Sequence, residues 1–89
     1  MNSKRNIVIG SCLKSFRVEA GLTQRQVAQR LGKTQSFVSK VENADRELSL
    51  IEVFPYALAL ETDYSTLVEY IHSNLGSEYS INGSENSTN

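Results

Sequence analysis

The side chains able to do chemistry are concentrated in one stretch, "LTQRQVAQRLGKTQSFVSKVEN", Leu22 to Asn43. Val27, Leu31, Val38 and Val41 recur in it like the inward face of helices, while glutamine, serine, lysine and asparagine fill the other positions. Amides and hydroxyls both donate and accept hydrogen bonds. A row of them on the outer side suits a surface offering both kinds of partner, as base edges and phosphates do. Exposed polar side chains are also the rule on any solvated helix, so composition alone does not separate a recognition surface from a plain one.

Other chemistries find little support. One His and one Cys supply no metal-ligand cluster, and neither a nucleophile triad nor a phosphate-binding loop is present. The expectation is a protein that is not an enzyme and carries no cofactor, with His72 a solvated or partly packed residue and Cys12 a core residue. A lone cysteine excludes an internal disulfide and fits a reducing, cytoplasmic setting. No apolar run reaches the ~18 residues that span a bilayer, and the short Ile7-Val8-Ile9 run is too brief for an export signal.

The elements that must position the polar row can be read from capping residues. Residues 7 to 20 place Ile9, Leu13, Phe16 and Ala20 at helical spacing, predicting a first helix ended by Gly21. Thr23 and Gln26 have the form of a capping box, opening a second helix from Gln24 to Leu31 that stops at Gly32. Thr34 caps a third helix from Gln35 to Glu42. Two short helices around Gly32-Lys33-Thr34 make a tight helix-turn-helix over residues 24–43. Ala28 is small enough for the close crossing and Gly32 tolerates the left-handed turn. Ser49 and Glu52 open a fourth helix over roughly 50–60, in which Pro55 is expected either to kink the helix or to move its start toward position 54. Asp63 caps a fifth helix, 64–74, whose broad apolar face includes Tyr64, Leu67, Val68 and Ile71. The chain thus reads as one all-α domain over residues 1–75, with a flexible polar tail over 76–89.

Charge divides the chain unequally. Residues 1–46 hold all nine basic residues against three acids, net +6, whereas residues 47–89 hold seven acids and no base. The first half could face a polyanion; equally, the charges could simply solubilise two faces.

Leu13 to about Ile71 resembles the Cro/C1 (XRE-type) helix-turn-helix domain. The resemblance is carried by Arg17, Gly21-Leu22-Thr23-Gln24, Val27-Ala28, Leu31-Gly32, Thr34-Gln35-Ser36, Val38-Ser39 and Glu42-Asn43, followed by "LSLIEVFPYALALETD". It implies a compact five-helix, lambda-repressor-like domain that binds double-stranded operator DNA, usually as a homodimer, and acts as a transcriptional regulator of the repressor kind. By the same resemblance Gln24 and Asn43 contact phosphates, Gln35 reads a base, and Ser36, Ser39 and Lys40 occupy further groove-facing positions. Arg17 and Glu42 match a pair that fixes the recognition helix.

A glutamine amide at position 35 can accept from adenine N6 and donate to N7, and Lys40 can address guanine or phosphate. Lys33, where the family is usually apolar, either snorkels outward to a phosphate or loosens the turn. Phe37 either touches a thymine methyl or sugar or packs on a neighbour, and Arg46 is the one base in an otherwise acidic loop. The fifth-helix face around Tyr64, Val68 and Ile71 exceeds what a terminal helix needs for docking and is the expected dimer interface. The alternative function is a protein-interaction module, antitoxin-like, built on the same fold. No small-molecule domain is expected in so short a chain.

Overall fold

The computed structural model of the protein describes residues 3–76. It contains five helices and, among the described residues, no strand: α1 Lys4–Glu19, α2 Gln24–Leu31, α3 Gln35–Glu42, α4 Leu50–Ala59 and α5 Tyr64–Leu75. The expected tail beyond Gly76 lies outside the described residues.

Each helix begins where a side chain replaces a missing backbone acceptor. Thr23 Oγ1 accepts from the Gln26 N–H at 3.1 Å while Gln26 Oε1 accepts from the Thr23 N–H at 2.8 Å, completing the predicted box. Thr34 Oγ1 accepts from Phe37 N at 3.1 Å, and Asp63 Oδ1 from Thr66 N at 2.8 Å. α1 starts three residues before the predicted position 7, because Ser3 Oγ accepts from Asn6 N at 3.0 Å and caps an earlier turn. α4 begins at Leu50 rather than near 54. The Ser49 N–H donates to Glu52 Oε1 at 2.8 Å, which holds the start in place, and the helix continues through Pro55. Ile51, whose carbonyl the proline leaves without its usual donor, is exposed, so water can take that place.

The helix ends share one closure. After α1, α2, α3 and α4 the chain passes through a left-handed residue, at Gly21, Gly32, Ala44 and Glu61 respectively. The next N–H then reaches back to a carbonyl of the last turn: Leu22 to Arg17, Lys33 to Ala28, Asp45 to Lys40 and Thr62 to Ala57, at 2.7–3.0 Å. Glycine supplies the positive φ at the first two, as expected of Gly32 in the turn. Ala44 and Glu61 adopt it against the repulsion of their own Cβ.

α2 packs on α3 and α4, α1 on α3 and α5, and α4 on α5. The core they enclose is built from Leu13, Val27, Val38, Val41, Tyr56, Ala57 and Leu67, all nearly inaccessible. Three of the four predicted inward residues of the helix-turn-helix are fully buried; Leu31 is half-buried at the edge. Cys12 is buried, as expected.

One core residue carried no sequence signal. Gly10, in the middle of α1, passes so close to the end of α3 that a Cβ built on it would lie 2.5 Å from the Glu42 carbonyl oxygen and 2.8 Å from that of Val41. Both neighbours are backbone and cannot swing aside. Gly10→Ala should therefore cost about 1–3 kcal/mol of stability despite its favourable helix propensity, as overpacked cores do. Urea unfolding followed by circular dichroism would measure this; an unchanged midpoint would show that the α1–α3 crossing opens freely.

Candidate nucleic-acid interface

The site rests on a charge pair set into the junction of three helices. Arg17 of α1 donates through Nε to Glu42 Oε2 at 2.6 Å and through one terminal nitrogen to Oε1 at 3.1 Å, with side-chain exposures of only 12% and 3%. Its other terminal nitrogen donates to the Leu22 carbonyl at 2.9 Å, tying the α1–α2 turn to the same point. A planar guanidinium matches a carboxylate with two parallel bonds, which fixes direction as well as distance. The hydrogen bonds to Glu42 raise the Arg17 guanidinium further above its ordinary range.

Gln24, the first residue of α2, extends this network outward. Its Nε2 donates to Glu42 Oε1 at 2.9 Å, and its Oε1 lies 3.4 Å from Nε2 of Gln35, the first residue of α3. The amide predicted to meet a phosphate is thus also a bridge from the buried carboxylate to the side chain predicted to read a base. Gln35, Ser36 and Lys40 are exposed and Ser39 is half-buried, with Asn43 Nδ2 3.4 Å from Ser39 Oγ. At about 100° per residue the five fall within roughly 140° of α3, away from buried Val38 and Val41, with buried Glu42 at the edge of the arc next to Gln35.

Two flanking cations differ in their freedom. Lys33 is exposed, with Nζ 5.5 Å from the Phe37 ring centroid, and the Arg46 guanidinium lies 5.1 Å from the same ring. Phe37 is half-buried against the core, so it packs on neighbours, the second of its two expected roles. Arg46, predicted as a DNA contact, donates to both Glu52 oxygens at 2.9 and 2.8 Å and to the Glu47 carbonyl. Glu52 neutralises its charge locally. The Arg46 bonds, followed by the Ser49 N–H, hold the Glu52 carboxyl down at about 2.

Arg25 escaped the sequence reading. With Arg17, Thr23, Gln24 and Gln35 it lines an open depression of about 520 Å³ at the start of α2. A signal was present: a cation in a helix's first turn opposes the helix dipole, and that cost invites a reason outside the fold. The predicted interface residues Tyr64, Val68 and Ile71 are half-buried and line a groove of about 400 Å³ with Ile9, Leu50 and Val53. Among the described residues, no cluster of His, Cys, Asp or Glu could hold a metal ion, and no helix is long and apolar enough to cross a membrane.

A short helix locked by its neighbours and presenting polar side chains along one face defines a helix-turn-helix module. The sequence profile of the Helix-turn-helix family matches residues 13–67. An uncharacterised HTH-type transcriptional regulator from Sinorhizobium fredii is 34% identical over 61 residues, 68% of this chain and 79% of that protein. Among solved structures, an XRE-family like protein from Pseudomonas syringae pv. tomato is 39% identical with a TM-score of 0.70, over 78% of this chain and 84% of that one. The restriction-modification controller protein C.AhdI from Aeromonas hydrophila is 31% identical with a TM-score of 0.64, over 68% and 88%. The chain belongs to the Cro/C1 (XRE-type) helix-turn-helix family and is a DNA-binding transcriptional regulator.

Two outcomes follow for the supporting contacts. Glu42→Ala should cost about 3 kcal/mol, because it strands the Arg17 charge in the junction, while Arg17→Met with Glu42→Leu should recover most of that loss; urea titrations of the three proteins decide it, and equal stability of all three would show an idle pair. Because folding depresses the Glu52 pKa, its stabilising contribution is present above the ordinary value of 4.5 and is lost as pH falls toward about 2. The melting temperature of Glu52→Gln should accordingly fall less steeply than wild type across that window.

Proposed function

We propose that this protein is a repressor that seats α3 in the major groove of an operator half-site, with Gln35 as its principal base-reading residue. The observation that carries this reading is the chain of contacts from Arg17 through Glu42 and Gln24 to Gln35. A side chain that reads a base must be held before the base arrives, or the ordering entropy offsets the contact. After giving one N–H to Gln24, the Gln35 amide keeps its carbonyl and a second N–H, the combination that adenine N6–H and N7 match. Ser36, Ser39 and Lys40 extend the readout along the groove. Gln24, Arg25, Lys33 and Asn43 supply the surrounding phosphate contacts, with Arg46 contributing less because Glu52 shares its charge. No catalysis or cofactor enters this role, and the protein works in the cytoplasm.

Operators read by such domains carry paired half-sites about 34 Å apart, which suits a homodimer. The Tyr64, Val68 and Ile71 face is the dimer surface in this reading. That same groove supports a second role, contact with a different protein chain, which is compatible with the first.

Fluorescence anisotropy against DNA flanking the protein's own gene, with scrambled DNA as competitor, tests the proposal. Gln35→Ala should weaken specific binding by about 1–3 kcal/mol and leave the nonspecific background. Lys40→Ala should reduce the salt slope by about one if it meets a phosphate. Equal weak binding to both DNAs, unchanged by Gln35→Ala, would overturn the reading.

A further inference from the structure

Arg46 is a cation placed beside α3 and committed elsewhere. Its loop follows that helix, and its guanidinium lies 5.1 Å from the ring of Phe37, the neighbour of groove-facing Ser36. Both terminal nitrogens donate to Glu52, at 2.9 and 2.8 Å, and one of them also donates to the Glu47 carbonyl. Three of the five N–H groups of the guanidinium are thus used, among them the end-on pair that forks equally well onto a carboxylate or a phosphate.

We infer that Glu52 stands in for a DNA phosphate at Arg46 and thereby holds down the protein's affinity for DNA, an inference that rests on the reading of α3 as the groove-facing helix. Stability gives the pair little reason to exist. Its side chains are 40% and 27% exposed, and a contact so open to solvent adds little to the fold. Its consequence for binding is larger, because a cation already paired within the protein releases few counterions when it meets a phosphate. Residues 45–52 hold three acids, Asp45, Glu47 and Glu52, against this single base, so without Arg46 that segment only repels DNA.

The geometry lets the two anions compete. Glu52 is anchored at the start of α4, where its Oε1 also accepts from the Ser49 N–H at 2.8 Å, so the carboxylate stays behind when Arg46 turns away. Contact with Phe37 keeps a released guanidinium beside α3. Release then needs a rotation of the head group, with no search by the whole side chain.

Glu52→Gln isolates the charge. A glutamine still offers Ser49 an oxygen and completes a capping box, and position 52 lies off the exposed apolar stripe of α4 formed by Leu50, Ile51, Phe54 and Leu58. Wild type, Glu52→Gln, Arg46→Ala and the double variant form a cycle, with circular dichroism reporting the fold of each. Fluorescence anisotropy against a scrambled duplex at several KCl concentrations is the readout, so no operator is required and failure here is separate from failure of base reading by Gln35.

Glu52→Gln should bind about eightfold more tightly at about 0.1 M salt, with a salt slope steeper by about 0.9, as one added phosphate contact gives. Arg46→Ala should weaken binding far more in that background than in wild type and cancel the gain. A gain that survives in the double variant would overturn the inference, since any lost negative charge would then do the same. Unchanged or weaker binding by Glu52→Gln would also overturn it, the weaker result making Glu52 a residue that aims Arg46 at a phosphate. No binding by any of the four proteins would overturn the DNA reading along with it.

Discussion

The Arg17–Glu42 pair is the constraint on which the rest of this domain depends. Two charges at a helix junction lose their water, and the attraction between them repays that loss only with good geometry and with their remaining hydrogen-bonding capacity satisfied. Here the capacity is used: the guanidinium also takes the Leu22 carbonyl, and the carboxylate also takes the Gln24 amide. The pair therefore contributes less as a source of net stability than as a positional lock, since few other arrangements of α1, α2 and α3 would keep both ions satisfied.

The lock acts on a helix that is pressed from several sides. Gly10 lets α1 run against the last carbonyls of α3, while Val38 and Val41 fill the space beneath. Tyr56 comes from α4 into the same region. Its hydroxyl is buried, has no hydrogen-bond partner among the described residues, and is pushed well above the ordinary tyrosine range by desolvation and then by the Glu42 charge. With eight residues α3 is too short to be stable alone, so its orientation comes from these contacts rather than from helix propensity.

What the sequence discloses follows the range of the interaction. Caps act over three residues, so Thr23 with Gln26, Thr34 and Asp63 placed α2, α3 and α5 closely, and Gly32 announced its own left-handed turn. Ser3 marked the earlier start of α1 in the same way, but the apolar periodicity, which begins later, drew the boundary to 7. The Arg17–Glu42 pair, 25 residues apart, was legible only through family resemblance. No local pattern reports that Gly10 meets the end of α3, that Arg46 spends its charge on Glu52, or that Asn6 donates to Glu47 across 41 residues at 2.7 Å. The exposed stripe of α4 was equally hidden, because an apolar run reads as core until the packing shows which side is left over.

The two closures made without glycine have a bearing on how the domain comes apart. Ala44 and Glu61 each hold a left-handed backbone at a cost of about 1–2 kcal/mol, which neighbouring contacts must sustain. That strain is released as soon as the adjoining turn unwinds, so the ends of α3 and α4 are natural points for opening to begin. Such openings would start beside Asn43 and beside Leu58. Local fraying therefore neighbours the polar face of α3 and the exposed apolar side of α4, and protection of amide hydrogens at these turns would register any partner that covers either face.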